Sequence, residues 1–130
     1  MSGNKVDISQ VDEPILVSST TPLGAGGLFV STPVSVLGYT HICGFAFSNV
    51  ASAINGLIIE QGYQSTDFPA GTPATSLITR SLYSISAADL DNNAFAVQIV
   101  APFARIIYTN GAAAQATFRL FFGARILRGL

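Results

Sequence analysis

The sequence predicts an all-β protein: a single jelly-roll-like antiparallel β-sandwich of about eight strands with an extended N-terminal arm. Three observations carry this. Helix-forming runs are missing, with Glu occurring twice and Lys once in 130 residues. Val, Ile, Phe, Tyr and Thr gather in short runs bounded by Gly, Pro, Asn and Asp, as strands bounded by turns do. Those runs recur roughly every 8–12 residues, the spacing of a sandwich or jelly roll.

Residues 1–14 are polar, end at Pro14 and read as the arm; residues 15–130 form the domain. A short strand is expected over 15–19 and a glycine-rich loop over 21–27 (TPLGAGG). Residues 28–37 read as a strand interrupted by Pro33, which marks an edge or a kink. A clearer strand covers 39–48. Residues 49–55 are a connection closing in Asn55-Gly56, a tight-turn signal, and a strand follows over 57–63. Residues 64–76 (QSTDFPAGTPATS) are a long polar loop and 77–85 a strand. Residues 86–90 are at most a helical turn, and 89–93 are a turn. Strands over 93–100 and 103–109 flank Pro102. Asn110-Gly111 is a second tight-turn signal, and a long last strand covers 115–127.

Composition narrows the function. Hydrophobic residues make up 49% and charged residues only 10%, against about 25% charged in an average soluble domain. This is the reverse of a disordered chain. Six Lys and Arg against seven Asp and Glu give a net charge of −1, so a basic nucleic-acid binder is not expected. The single Cys43 excludes an internal disulfide. The N-terminus lacks the basic and apolar regions of a signal peptide, and no apolar run reaches the about 18 residues of a membrane helix. Synthesis in a cytosol without export by the usual route is expected, with no membrane partner.

Alternation along the last strand places Ala116, Phe118, Leu120 and Phe122 on the core face. Gln115, Thr117, Arg119 and Phe121 then face outward, with Arg125 and Leu127 on the same side. Arg105, flanked by Phe103 and Ile107, is placed outside in the same way, with Ala104, Ile106 and Tyr108 opposite. Strands apolar on both faces are covered on both faces, so a partner is implied. Residues 92–130 hold four arginines and no acid, whereas residues 1–91 hold all seven acids. The interface candidates are therefore Arg105, Arg119, Phe121, Arg125 and Leu127. The arm residues Asp12 and Glu13 would meet the arginines of a neighbouring subunit.

Motifs for chemistry are incomplete. His41 and Cys43 share a strand face, but zinc needs three or four ligands and no other His or Cys exists. Asp89, Asp91 and Asn93 open a calcium-loop pattern that lacks its glycine and its closing glutamate; a turn needs the same residues. Gly24, Gly26 and Gly27 have no following Lys-Ser/Thr and no helix to cradle a phosphate. Glu60 and Asp67 are the only carboxylates that could pair for glycoside hydrolysis. Tyr39, Tyr63 and Phe68 could form a sugar-stacking platform, though packing is the commoner use of such rings. No metal, no cofactor and no enzymatic activity are expected.

The segment PFARIIYTNGAAAQATFRLFF (102–122) resembles one that recurs in small β-sandwich virion proteins of tailed bacteriophages: an apolar strand with a central Arg, a Tyr-x-Asn-Gly turn and a Gln-x-Thr-Phe-Arg-Leu strand. Upstream, YTHICGFAFSNVASAINGLIIEQGYQSTDF (39–68) looks like the companion hairpin. The resemblance spans residues 28–127 in pattern and brings no catalytic motif with it. It implies a structural virion protein, a capsid decoration or cement protein that acts on the capsid surface. Such a protein would associate with itself, as a cyclic trimer, and bind the major capsid protein to stabilise the shell. The alternative is a tail- or fibre-associated, adhesin-like module that binds carbohydrate or a receptor.

Overall fold

A computed structural model describes residues 15–70, 79–88 and 93–126. The arm 1–14, with Asp12 and Glu13, lies outside the described residues, as do Asp89, Asp91, Leu127 and Arg128.

The described chain forms nine strands and one 3-10 turn. The strands are β1 (Ile15–Ser19), β2 (Leu28–Val30), β3 (Val34–Ser35), β4 (His41–Ser48), β5 (Ser52–Gly62), β6 (Thr79–Tyr83), β7 (Ala94–Gln98), β8 (Phe103–Asn110) and β9 (Phe118–Arg125); the turn is Ser65–Asp67. They build two sheets, ordered β1-β9-β4-β7 and β2-β8-β5-β6, with β3 also pairing β8. Every pairing is antiparallel. The architecture is thus a two-sheet β-sandwich, and neither sheet closes into a barrel.

The core lies between the sheets, where alternation puts it. From the four-stranded sheet come Ile42, Ala46, Phe95, Phe118, Leu120, Phe122 and Ala124; from the other come Leu57, Ile59, Ala104, Ile106 and Tyr108. Tyr108 and Phe118 meet across the layer with ring centroids 4.8 Å apart. Gly44 lies under the Phe95 ring; a Cβ there would run into that ring and into the Phe121 carbonyl. Its missing side chain is what lets Phe95 reach the core.

Both tight-turn signals have other uses. Asn55-Gly56 is not a hairpin turn but the centre of a bulge inside β5, where the register against β8 shifts between Ser52 and Leu57. Asn55 there takes a left-handed φ of 53°, which Asn tolerates better than most residues. Ile54, at the bulge, is 89% exposed. Asn110-Gly111 ends β8 without turning the chain back on it. The Asn110 amide instead donates to the carbonyls of Leu23, Gly24 and Ala113, and Gly26 N–H donates to the Gly111 carbonyl. The glycine loop 24–27 is thereby pinned to the end of β8.

Two further expectations are corrected. β4 and β5 belong to different sheets, as do β8 and β9, so neither segment is a hairpin. Among the described strands, β5 and β6 alone are full neighbours in both sequence and sheet. The last strand begins at Phe118 rather than at residue 115. Gln115 is turned inward: its Nε2 donates to Ser48 Oγ at 3.1 Å and its Oε1 accepts from Leu23 N–H at 2.7 Å. Asn49 Oδ1 accepts from Ala116 and Thr117 N–H and holds the approach to β9.

Candidate interaction surface

The outer face of the four-stranded sheet is built by alternation along its two central strands. Register pairs Phe47 with Arg119, Phe45 with Phe121, Cys43 with Gly123 and His41 with Arg125. On the flanks, Ala94 and Ala96 lie beside Phe45 and Cys43, and Ile15 pairs with Gly123 and Ser18 with Phe121. Three phenylalanines therefore share a face that a lone sandwich would give to water. Gly123 contributes no side chain, and a cleft of about 160 Å³ opens between Ile15, Cys43, Phe45, Phe121 and Arg125. Ile15 at its rim is 64% exposed. The Arg119 guanidinium carbon sits 5.3 Å from the Phe121 ring centroid, which is cation–π range. The surface is thus an apolar centre bordered by two cations.

The structure brings Arg119, Phe121 and Arg125 together on this face. It places Arg105 elsewhere, on the outer face of the opposite sheet and 2% exposed. Its Nε donates to Glu60 Oε1 at 2.7 Å, one of its terminal nitrogens to the Pro69 carbonyl at 2.6 Å, and the Phe68 ring covers it at 5.5 Å. Arg80 lies 3.4 Å from the other Glu60 oxygen. The outward reading of Arg105 is right for the strand and wrong for its charge, which the chain's own 63–70 loop and Glu60 answer. A cleft of about 330 Å³ remains beside it, lined by Val30, Ser31, Thr32, Pro33, Phe68 and Ala70.

The other candidates take structural places. Glu60 is fully buried in the ion pair, while Asp67 Oδ2 accepts the Tyr63 and Gln64 N–H groups and shapes its own loop, so the two are not set as a carboxylate pair. His41 and Cys43 do share the outer face of β4, and His41 Nδ1 pairs with Thr40 Oγ1 at 2.9 Å. Among the described residues no group of three or more His, Cys, Asp or Glu could hold a metal ion. Asn93 exchanges hydrogen bonds with the Ser86 backbone. Phe68 is turned onto Arg105, whereas Tyr63 is 65% exposed, so they make no common platform.

Sequence reasoning missed the buried amides. Gln61 closes the end of β7 twice over, Nε2 donating to the Gln98 carbonyl and Oε1 accepting from Val100 N–H. The available signal was position: Gln61 falls on the core-facing parity of β5, where a polar side chain must find a partner.

No protein-family model matches the sequence, and no curated protein matches it. Among solved structures, the crystal structure of the PBSX exported protein XepA superposes with a TM-score of 0.67 at 16% identity. The likeness is one of fold. It covers 98% of this chain and 42% of XepA, so the chain spans less than half the length of XepA. No helix among the described residues is long and apolar enough to cross a membrane.

Proposed function

We propose that this is a non-enzymatic, phage-associated structural protein: a capsid decoration or cement protein that works as a homo-oligomer on the head surface and stabilises the shell. The carrying observation is the outer face of β1-β9-β4-β7, where Phe45, Phe47 and Phe121 lie together between Arg119 and Arg125. An apolar sheet face of this kind marks an interaction site. Burying it against the major capsid protein or a second subunit would contribute about 25 cal/mol per Å² of apolar area, and the arginines would orient the contact. The three-fold arrangement expected from the sequence is one way to bury it.

Two observations support the wider setting. The orders β1-β9-β4-β7 and β2-β8-β5-β6 suit a jelly roll, an arrangement shared by viral capsid and lectin domains. XepA, the PBSX exported protein, shares the fold. The test is cosedimentation with purified phage heads that lack the protein. Wild type is expected to bind in hundreds of copies, and Phe121→Asp to stay folded and remain in the supernatant. Absence of wild-type binding, or unchanged binding by Phe121→Asp, would overturn the reading.

A further inference from the structure

The β7 edge of the four-stranded sheet presents backbone groups that β4 does not use. β7 is one of the sheet's two terminal strands and, among the described residues, pairs only with β4. At its two ends, Ala46 N–H donates to the Asn93 carbonyl at 3.1 Å and Ile99 N–H donates to the Thr40 carbonyl at 2.8 Å. Hydrogen-bonded residues alternate along an antiparallel pair. Phe95 and Val97 therefore turn their N–H and C=O toward β4, whereas Ala94, Ala96 and Gln98 turn theirs outward. The Gln98 carbonyl is taken by Gln61 Nε2 at 3.0 Å. The N–H and C=O of Ala94 and Ala96 remain, two donors and two acceptors with no partner among the described residues.

Proteins usually blunt such an edge with a charge, a proline or a bulge. β7 reads Ala-Phe-Ala-Val-Gln and has none of these. Its outward-facing side chains at 94 and 96 are alanines, too small to fend off a neighbouring strand. The unpartnered set is also self-complementary. In a two-fold pairing centred on Phe95, Ala94 stands opposite Ala96 of the partner subunit, and each copy's two donors meet the other's two acceptors. An uncharged edge brings no like charges together at the axis.

We propose that a second copy of this chain occupies the β7 edge and forms an antiparallel, two-fold dimer with a continuous eight-stranded sheet. A two-fold axis perpendicular to the sheet keeps both Phe45/Phe121 faces on the same side, so the dimer presents a doubled apolar surface. This inference does not rest on the capsid reading, since it follows from the edge's backbone groups and its small, uncharged side chains; it replaces the three-fold symmetry that the resemblance implies by a two-fold one.

The test is sedimentation equilibrium of the full chain at micromolar concentrations, with amide exchange alongside. The expected mass is about 27 kDa, twice the 13.5 kDa chain, with the Ala94 and Ala96 amides protected. Ala96→Pro removes an outward N–H that β4 does not use, a position where an edge strand tolerates proline; it is expected to give a folded monomer. Ala96→Lys, which places a charge on the exposed face at the seam, should do the same and guards against a folding defect in the proline variant. A wild-type monomer or trimer, or a dimer whose Ala94 and Ala96 amides exchange freely, would overturn the proposal. Failure of head binding by a dimeric protein would instead count against the cement reading alone.

Discussion

Arg105 shows how much one side chain's surroundings decide. It sits on an outer sheet face, yet Glu60, the Pro69 carbonyl and the Phe68 ring enclose it. Removing one partner of a buried ion pair strands the other and costs about 3–5 kcal/mol. Arg105→Met still leaves the buried Glu60 carboxylate beside the part-exposed Arg80 at 3.4 Å, so a loss at the lower end of that range, about 3 kcal/mol, is expected, and the double variant Arg105→Met with Glu60→Leu should recover part of it. Urea unfolding of the three proteins checks this. Equal losses in the single and double variants would show that the pair is not what holds the loop.

Tyr108 gives a pH signature. Burial pushes its phenol above the ordinary 10, opposed in part by Ser48 and Gln115. The folded state thus holds this proton more tightly than the unfolded state does. Its contribution to stability is complete below pH 10 and is lost as pH rises through the folded-state value. The Tyr83 phenol is pushed up by burial as well, so the alkaline loss is shared. Tyr108→Phe should flatten the decline in melting temperature above pH 10. It should cost little at neutral pH, because Ser48 and Gln115 lie near the hydroxyl but neither meets it with good hydrogen-bond geometry. An unaltered alkaline slope would contradict the assignment.

At the scale of elements, Gly44 and the β5 bulge set the limits of what the sandwich accepts. Gly44→Ala would press a methyl group into the Phe95 ring and the Phe121 carbonyl; overpacking of this kind costs about 1–3 kcal/mol. Adding Phe95→Leu should return part of that loss in a denaturant melt, and no recovery would mean that the backbone contact dominates. The strands were legible in the sequence because alternation and turn residues are local signals: β1 falls at residues 15–19 as expected, and β9 has Phe118, Leu120 and Phe122 on the core face. Partnership was not legible. Asn55-Gly56 reads as a tight turn because a turn and a bulge require the same backbone freedom, and only the register against β8 tells them apart; Asn110-Gly111 reads the same way, but the strand that follows it joins the other sheet. Likewise, the parity of Arg105 was readable, but the loop that covers it comes from 36 residues earlier in the chain.

For the whole molecule, the shortage of charge has two separate resolutions. On the five-stranded sheet the chain buries its own pair, Glu60 with Arg105. On the four-stranded sheet nothing among the described residues does the equivalent for Phe45, Phe47 and Phe121, and a partner is the proposed cover. The candidate surface was therefore readable in part. Arg119, Phe121 and Arg125 follow from period-two alternation, whereas Cys43, Phe45, Ala94 and Ala96 join them through cross-strand register alone. The most direct test is to locate and count the protein in purified phage particles by cryo-electron microscopy and quantitative mass spectrometry. The account predicts hundreds of copies on the head, with the Phe45/Phe121 face against a neighbouring protein. A handful of copies at the tail, or head-bound copies with that face open to solvent, would contradict it.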